Sequence, residues 1–184
     1  MRILRLNSSG YPTAWLGQED AATLTVRGQV VWSLGDTVAV LHGGYNRCGE
    51  RSRLELPAII ACAGESECHN HVPALSNRTL FRRDDSFCLY CGNQFSEGEL
   101  TRDHVVPLSQ GGRNVWANVV AACQRCNNRK GGRTPEQAGM ALLAVPFTPN
   151  IFEFMYLSNR HILDDQMDYL RARFRKSARK WHAA

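Results

Sequence analysis

Cys88-Leu89-Tyr90-Cys91 and Cys123-Gln124-Arg125-Cys126 are two Cys-x-x-Cys pairs standing about thirty residues apart. A tight turn in each pair aims both sulfurs at one point about 2.3 Å from a metal. Together the pairs offer four thiolates to a single tetrahedral Zn²⁺. Gly92, directly after the first pair, suits such a turn. A lone pair of this kind could be a redox dithiol; two in this arrangement point to a structural zinc.

Between the pairs lies Thr101-Arg102-Asp103-His104-Val105-Val106-Pro107-Leu108-Ser109-Gln110-Gly111-Gly112. Asp103 and His104 precede a β-branched pair, so they fall on a strand. Neighbours on a strand point to opposite faces, which lets the two side chains serve different atoms, a metal and a water. Pro107 ends the strand and Gly111-Gly112 permits a sharp loop. Asn114–Ala122 reads as a turn and a second strand, and Cys123–Lys130 as the opening of a helix closed by Gly131-Gly132. The order is strand, loop, strand, helix, pinned by one zinc.

The rest of the chain bounds this reading. Its 184 residues allow one ordinary domain, or one small domain with a substantial attachment. Seven cysteines is an odd number, which excludes a complete disulfide framework. No stretch approaches the roughly 20 apolar residues of a membrane helix. The opening Met1-Arg2-Ile3-Leu4-Arg5-Leu6-Asn7 has no signal-peptide core, so a cytoplasmic address with no membrane partner is expected. The net charge of +5 is spread unevenly: −1 over 1–77, +4 over 78–133, −4 over 134–170 and +6 over 171–184. Two cationic regions therefore flank an acidic one, which bears on partners rather than on fold. Basic residues are 19 Arg against 3 Lys, a choice that suits phosphate recognition but that a GC-rich genome would also make.

Upstream, Arg2–Leu6 reads as a strand and Gln18–Arg27 as a helix ending before Gly28. Val30-Val31-Trp32 and Thr37–Leu41 read as a hairpin turning at Leu34-Gly35-Asp36. Leu54–Ala61 is apolar, but Pro57 demotes it to an edge strand or an extended connector. Gly64–Asn77 reads as a polar loop or linker. Cys62, Cys68, His69 and His71 match no strong zinc spacing, and with the isolated Cys48 they read as thiols and loop histidines. Downstream, Leu163, Met167, Leu170 and Phe174 recur at helical spacing and predict an amphipathic helix. Arg171, Arg173, Arg175, Lys176, Arg179 and Lys180 follow it without an acid. They are either a solvated helix end or a clamp on a nucleic-acid backbone. The expected domains are a mixed α/β segment at 1–77, a zinc-knuckle core at 78–145 and a C-terminal helix with a basic tail at 146–184.

Cys88-x-x-Cys91, Asp103-His104, Pro107, Gly111-Gly112, Asn118, Cys123-x-x-Cys126-Asn127 and Lys130 resemble the HNH endonucleases, in the subgroup with a ββα-metal site and a four-cysteine zinc. The resemblance implies an α+β fold with a ββα-metal core and a metal-dependent endonuclease that hydrolyses DNA phosphodiesters. It implies that His104 is the general base on water and that Asp103 binds the catalytic divalent ion. It implies that Asn118 holds the loop and helps orient the base, and that Asn127 is the second protein ligand of that ion. At Asn127 the strict motif has His; an amide oxygen is a harder ligand and suits Mg²⁺ or Mn²⁺. Lys130 and Arg129 stand on the same helix to meet the phosphate, Lys130 with a plainer reading as a solvated helix residue.

DNA is therefore the expected partner, through backbone contacts with little sequence preference. The rivals are a non-catalytic zinc-stabilised DNA-binding module and a nuclease acting on RNA or branched DNA. A homodimer is the simple way for a single-strand site to cut both strands.

Overall fold

Residues 1–64 and 72–175 are described in the computed structural model. In chain order the elements are β1 (Ile3–Asn7), β2 (Pro12–Leu16), α1 (Gln18–Val26), β3 (Val30–Tyr45), β4 (Arg51–Cys62), α2 (Asn77–Arg83), β5 (Leu100–His104), β6 (Val119–Cys123), α3 (Gln124–Lys130), α4 (Pro135–Ala138), α5 (Ile151–Ser158) and α6 (Asp164–Arg171). Two short 3-10 turns, Leu108–Gln110 and Trp116–Asn118, lie between β5 and β6. The fold is mixed α+β, and it divides into two units: residues 1–64 with Ile151–Arg175, and residues 72–150.

The first unit is a four-stranded sheet in the order β2-β1-β4-β3, with β1 parallel to β4 and the other pairs antiparallel. Alternation along the strands feeds two cores. Leu4, Leu6, Ile59 and Ala61 pack with Phe152 and Met155 of α5 and Leu170 of α6. Ile3, Ile60 and Cys62 pack with Ala21 of α1. The buried Gln166 of α6 donates from its amide to the carbonyls of Arg2 (2.9 Å) and Ala58 (2.8 Å), fastening that helix to the sheet. The amphipathic helix expected from Leu163, Met167, Leu170 and Phe174 is α6, but it ends at Arg171, and Phe174 packs from beyond it.

Two readings of this unit need correction. The hairpin does not turn at Leu34-Gly35-Asp36. Gly35 takes φ +85° inside β3 and the register shifts between Leu34 and Thr37, so this stretch is a bulge in one long strand. The chain reverses instead between Asn46 and Glu50, where the Asn46 side-chain oxygen accepts from the Cys48 and Glu50 N–H groups at 2.9 Å. Leu54–Ala61 lies within β4, an interior strand rather than an edge. Pro57 is tolerated because it faces Thr37 beside that bulge, and pairing with β1 begins only at Ile59.

The second unit holds the strand-loop-strand-helix core. β5 and β6 pair antiparallel from Leu100↔Cys123 to His104↔Val119, and every residue of β6 is buried. The short α2 is closed at its start by a Ser76–Thr79 capping box and packs against both strands. Trp116 is buried in the loop and donates from its indole N–H to the Pro73 carbonyl at 2.7 Å.

Candidate nuclease and metal site

β6 ends at Cys123, which is also the residue that opens α3, so Cys123 and Cys126 sit on one turn of chain. On the other side Gly92, at φ +72°, returns its N–H to the Cys88 carbonyl at 2.9 Å. The Leu89 N–H reaches the Ala121 carbonyl at 2.9 Å and draws the first knuckle onto β6. The result brings the sulfurs of Cys88, Cys91, Cys123 and Cys126 within 4.8 Å of one another. A tetrahedral zinc with Zn–S of about 2.3 Å needs sulfurs about 3.8 Å apart, so the four thiols fit that ion. Among the described residues they form the one cluster of Cys, His, Asp or Glu side chains gathered closely enough to enclose a metal. Cys62 is buried in the sheet of the first unit and Cys48 is exposed at its hairpin turn. Cys68, His69 and His71 lie outside the described residues.

Asp103 and His104 end β5 and diverge as alternation requires. Asp103 is 4% exposed, with the Tyr90 hydroxyl on Oδ2 at 2.5 Å and the Lys130 ammonium on Oδ1 at 3.0 Å. Burial first, then the bond to Asp103 and its charge, push the Tyr90 hydroxyl far above the usual phenol range, so it stays a donor. Lys130 also donates to the His104 carbonyl at 2.7 Å. This corrects the placing of Lys130 on a phosphate or on solvent. It is 1% exposed, and its charge is spent on a carboxylate and a carbonyl inside the protein. Arg129, its neighbour, is exposed.

Asn127 stands one turn before Lys130, and its amide N–H donates to Thr101 Oγ1 at 2.9 Å. Thr101 and Asp103 share a face of β5, so α3 lays Asn127 and Lys130 along that face. Asp103 and Asn127 together offer a carboxylate and an amide oxygen. Each Asp103 oxygen has accepted one hydrogen bond and retains a lone pair, and Asn127 has used only its donor. This hard-oxygen set fits Mg²⁺ or Mn²⁺.

His104 Nε2 faces Asn114 Oδ1 at 3.2 Å. The same oxygen accepts from the Arg102 guanidinium at 2.9 Å, which identifies it as oxygen rather than nitrogen. An amide oxygen only accepts, so His104 donates through Nε2–H and keeps Nδ1 as the basic nitrogen. Asn118 ties the loop that carries this arrangement. Its side chain donates to the carbonyls of Val106 (3.0 Å) and Arg113 (2.8 Å) and accepts from the Val106 N–H (2.9 Å). Gly112 allows that loop to close, since a Cβ there would lie 1.8 Å from the Val106 carbonyl oxygen.

Tyr90, Asn114 and the Arg83–Asp84 pair escaped the sequence reading. Arg83 is buried, salt-bridged to Asp84 at 2.8 Å, and donates to the carbonyls of Trp116, Val119 and Phe147. Burial pushes the Asp84 carboxyl up against the opposing pull of Arg83 and of the Ala121 N–H. A Tyr inside a metal-binding turn and an Asn just after Gly-Gly are visible signals; an Arg-Asp dipeptide ending a short helix looks like surface. Arg171 and Arg175 are exposed in the first unit, while Lys176, Arg179 and Lys180 lie outside the described residues. A cleft of about 710 Å³ opens beside the knuckles, lined in part by Cys91, Cys126, Arg125 and Arg129; Asp103 and His104 do not line it. No described helix is long and apolar enough to cross a membrane.

Residues 88–143 match the family model of the HNH endonucleases. The CRISPR-associated endonuclease Cas9 of Corynebacterium diphtheriae is 42% identical over 55 residues, which are 29% of this chain and 5% of that protein. Among solved structures, the type II-C Cas9 of Actinomyces naeslundii is 20% identical with a TM-score of 0.31, covering 54% of this chain and 12% of its own. Streptococcus thermophilus Cas9 in complex with the GGAA PAM is 25% identical with a TM-score of 0.29, covering 50% and 9%. The chain thus spans a small part of each of these proteins.

Proposed function

We infer, from the membership of residues 88–143 in the HNH endonuclease family, that this chain is an endonuclease hydrolysing DNA phosphodiester bonds. The observation that carries the reading is the contact of His104 Nε2 with Asn114 Oδ1 at 3.2 Å, which supports a tautomer with Nδ1 as the proton acceptor. His104 acts as the general base, removing a proton from the water that attacks phosphorus. Imidazole suits that task near neutral pH. Asn114 holds the tautomer and Arg102 holds Asn114, while Asn118 keeps the loop between the strands in place. Asp103 and Asn127 would hold the divalent ion, Mg²⁺ or Mn²⁺. When bound, such an ion would supply charge neutralisation on the phosphate and stabilisation of the leaving O3′; water attacks phosphorus, the P–O3′ bond breaks, and the products are a 5′-phosphate and a 3′-hydroxyl. Exposed Arg129, and Arg171 with Arg175 in the other unit, contact the DNA backbone without reading sequence. Zinc in the four-cysteine cluster is structural. A second copy of the chain would serve the opposite strand, and the free thiols Cys48 and Cys62 suit a reducing, cytoplasmic compartment.

A nicking assay on supercoiled plasmid with Mg²⁺ or Mn²⁺ tests this directly, beside linear, single-stranded and RNA substrates. His104→Ala is expected to lose at least ~10²-fold in turnover with the fold kept. Binding without cleavage, insensitive to EDTA, would identify a non-catalytic module instead. Preferential cleavage of RNA or branched DNA would move the substrate and keep the mechanism.

A further inference from the structure

We propose that Tyr90 is a positioning residue that couples the cysteine cluster to the divalent-ion site, by holding the Asp103 carboxylate in a fixed rotation. The inference rests on the reading of Asp103 as a ligand of that ion.

Asp103 is held from two sides, and each holder is mounted on one half of the cysteine cluster. Tyr90 lies between Cys88 and Cys91, with its hydroxyl on Oδ2. Lys130 lies on α3, four residues after Cys126, with its ammonium on Oδ1. The Tyr90 ring packs on the buried cluster of Cys88, Ala122 and Cys123, so little freedom separates the sulfurs from the hydroxyl. With one donor on each oxygen the carboxylate cannot rotate, and its two remaining lone pairs keep fixed directions. Lys130 alone would leave Oδ2 free to swing. An ion in the cysteine cluster, by drawing the two halves together, therefore sets the aim of a carboxylate that belongs to the other site. Hydrogen-bond partners of metal-binding carboxylates commonly matter in this way, their removal costing about 10- to 100-fold in metal affinity or activity.

Tyr90→Phe in the zinc-loaded 184-residue protein removes the hydroxyl and keeps the ring. Zinc content and thermal unfolding are measured first, then Mn²⁺ binding without nucleic acid, by the paramagnetic signal of the free ion. The expected result is full zinc occupancy, an unchanged fold, Mn²⁺ affinity about 10- to 100-fold weaker, and nicking that recovers at saturating Mn²⁺. Wild-type Mn²⁺ affinity in the zinc-loaded variant would overturn the proposal. So would loss of zinc or of the fold, because the hydroxyl would then serve the knuckle rather than the carboxylate. Asp103→Asn is measured in parallel. If it binds Mn²⁺ as the native protein does, Asp103 is no ligand, and the failure lies in the reading beneath the proposal rather than in Tyr90.

Discussion

Strand β4 in the first unit and strand β6 in the second are both apolar runs, but they are buried by different means. β4 lies between two other strands, with Ile59 and Ala61 against one helical layer and Ile60 and Cys62 against another. β6 has a single strand partner, and the helix that follows it has seven residues. The second unit makes up the difference with polar fasteners: Arg83–Asp84, Lys130–Asp103 and the four-cysteine cluster. In the first unit buried area does most of this work, at about 25 cal/mol per Å². A buried charge stabilises only while its partners are all present, so the second unit gains definition and becomes intolerant of single losses.

The contrast can be broken most severely at the metal. Cys123→Ser, or a strong chelator, is expected to abolish the unfolding transition of the 72–150 unit and leave that of the sheet unit in place. Structural zinc contributes on the order of 10–16 kcal/mol of apparent binding energy to folding in small domains. Calorimetry before and after chelation reads this, and simultaneous loss of both transitions would break the comparison. Arg83→Met should cost about 3–5 kcal/mol in the second unit, because it leaves Asp84 buried without its ion partner. An unfolding free energy from denaturant titration unchanged to within about 1 kcal/mol would show that the pair is no fastener; that threshold is roughly one ordinary hydrogen bond. Ile60→Ala should cost about 2–5 kcal/mol, confined to the sheet unit.

Two smaller effects sharpen the functional side. Asn118→Ala should slow nicking by about 10- to 100-fold while DNA affinity stays near native, since loop misplacement affects the reacting geometry first. Single-turnover rates and binding measured together would separate these. Replacing Arg171 and Arg175 with Ala should lower the slope of log affinity against log salt by about 1–2, at roughly 0.9 for each phosphate that an arginine no longer neutralises. An unchanged slope would remove both residues from the DNA interface.

The core was legible because its signals are local. Two Cys-x-x-Cys turns, an Asp-His strand end and a Gly-Gly loop each restrict the chain within a few residues. Less could be read where the determinant is distant. α5 is apolar on most of its surface, with Phe152, Met155 and Leu157 buried and Ile151 and Tyr156 packed, so no helical stripe stands out. β2 pairs with β1 through a tight turn, but its Pro12 argues against a strand until that edge position is known. Lys130 looked solvated because the carboxylate that buries it lies 27 residues away on another strand. The bulge at Gly35 was mistaken for a turn because both use a left-handed glycine; only the partner strand distinguishes them.

The Gln166 amide, which reaches both Arg2 and Ala58, has a consequence for the order in which the protein can be built. The first unit opens with β1 but is completed by α5 and α6, from beyond residues 72–150. During synthesis the open sheet waits, its Leu4 and Ile59 face uncovered, while residues 72–150 leave the ribosome. The segment in between can therefore take up its zinc and fold before its host has closed around the last helix. That face stays exposed for as long as residues 72–175 take to be synthesised, whether or not zinc is supplied.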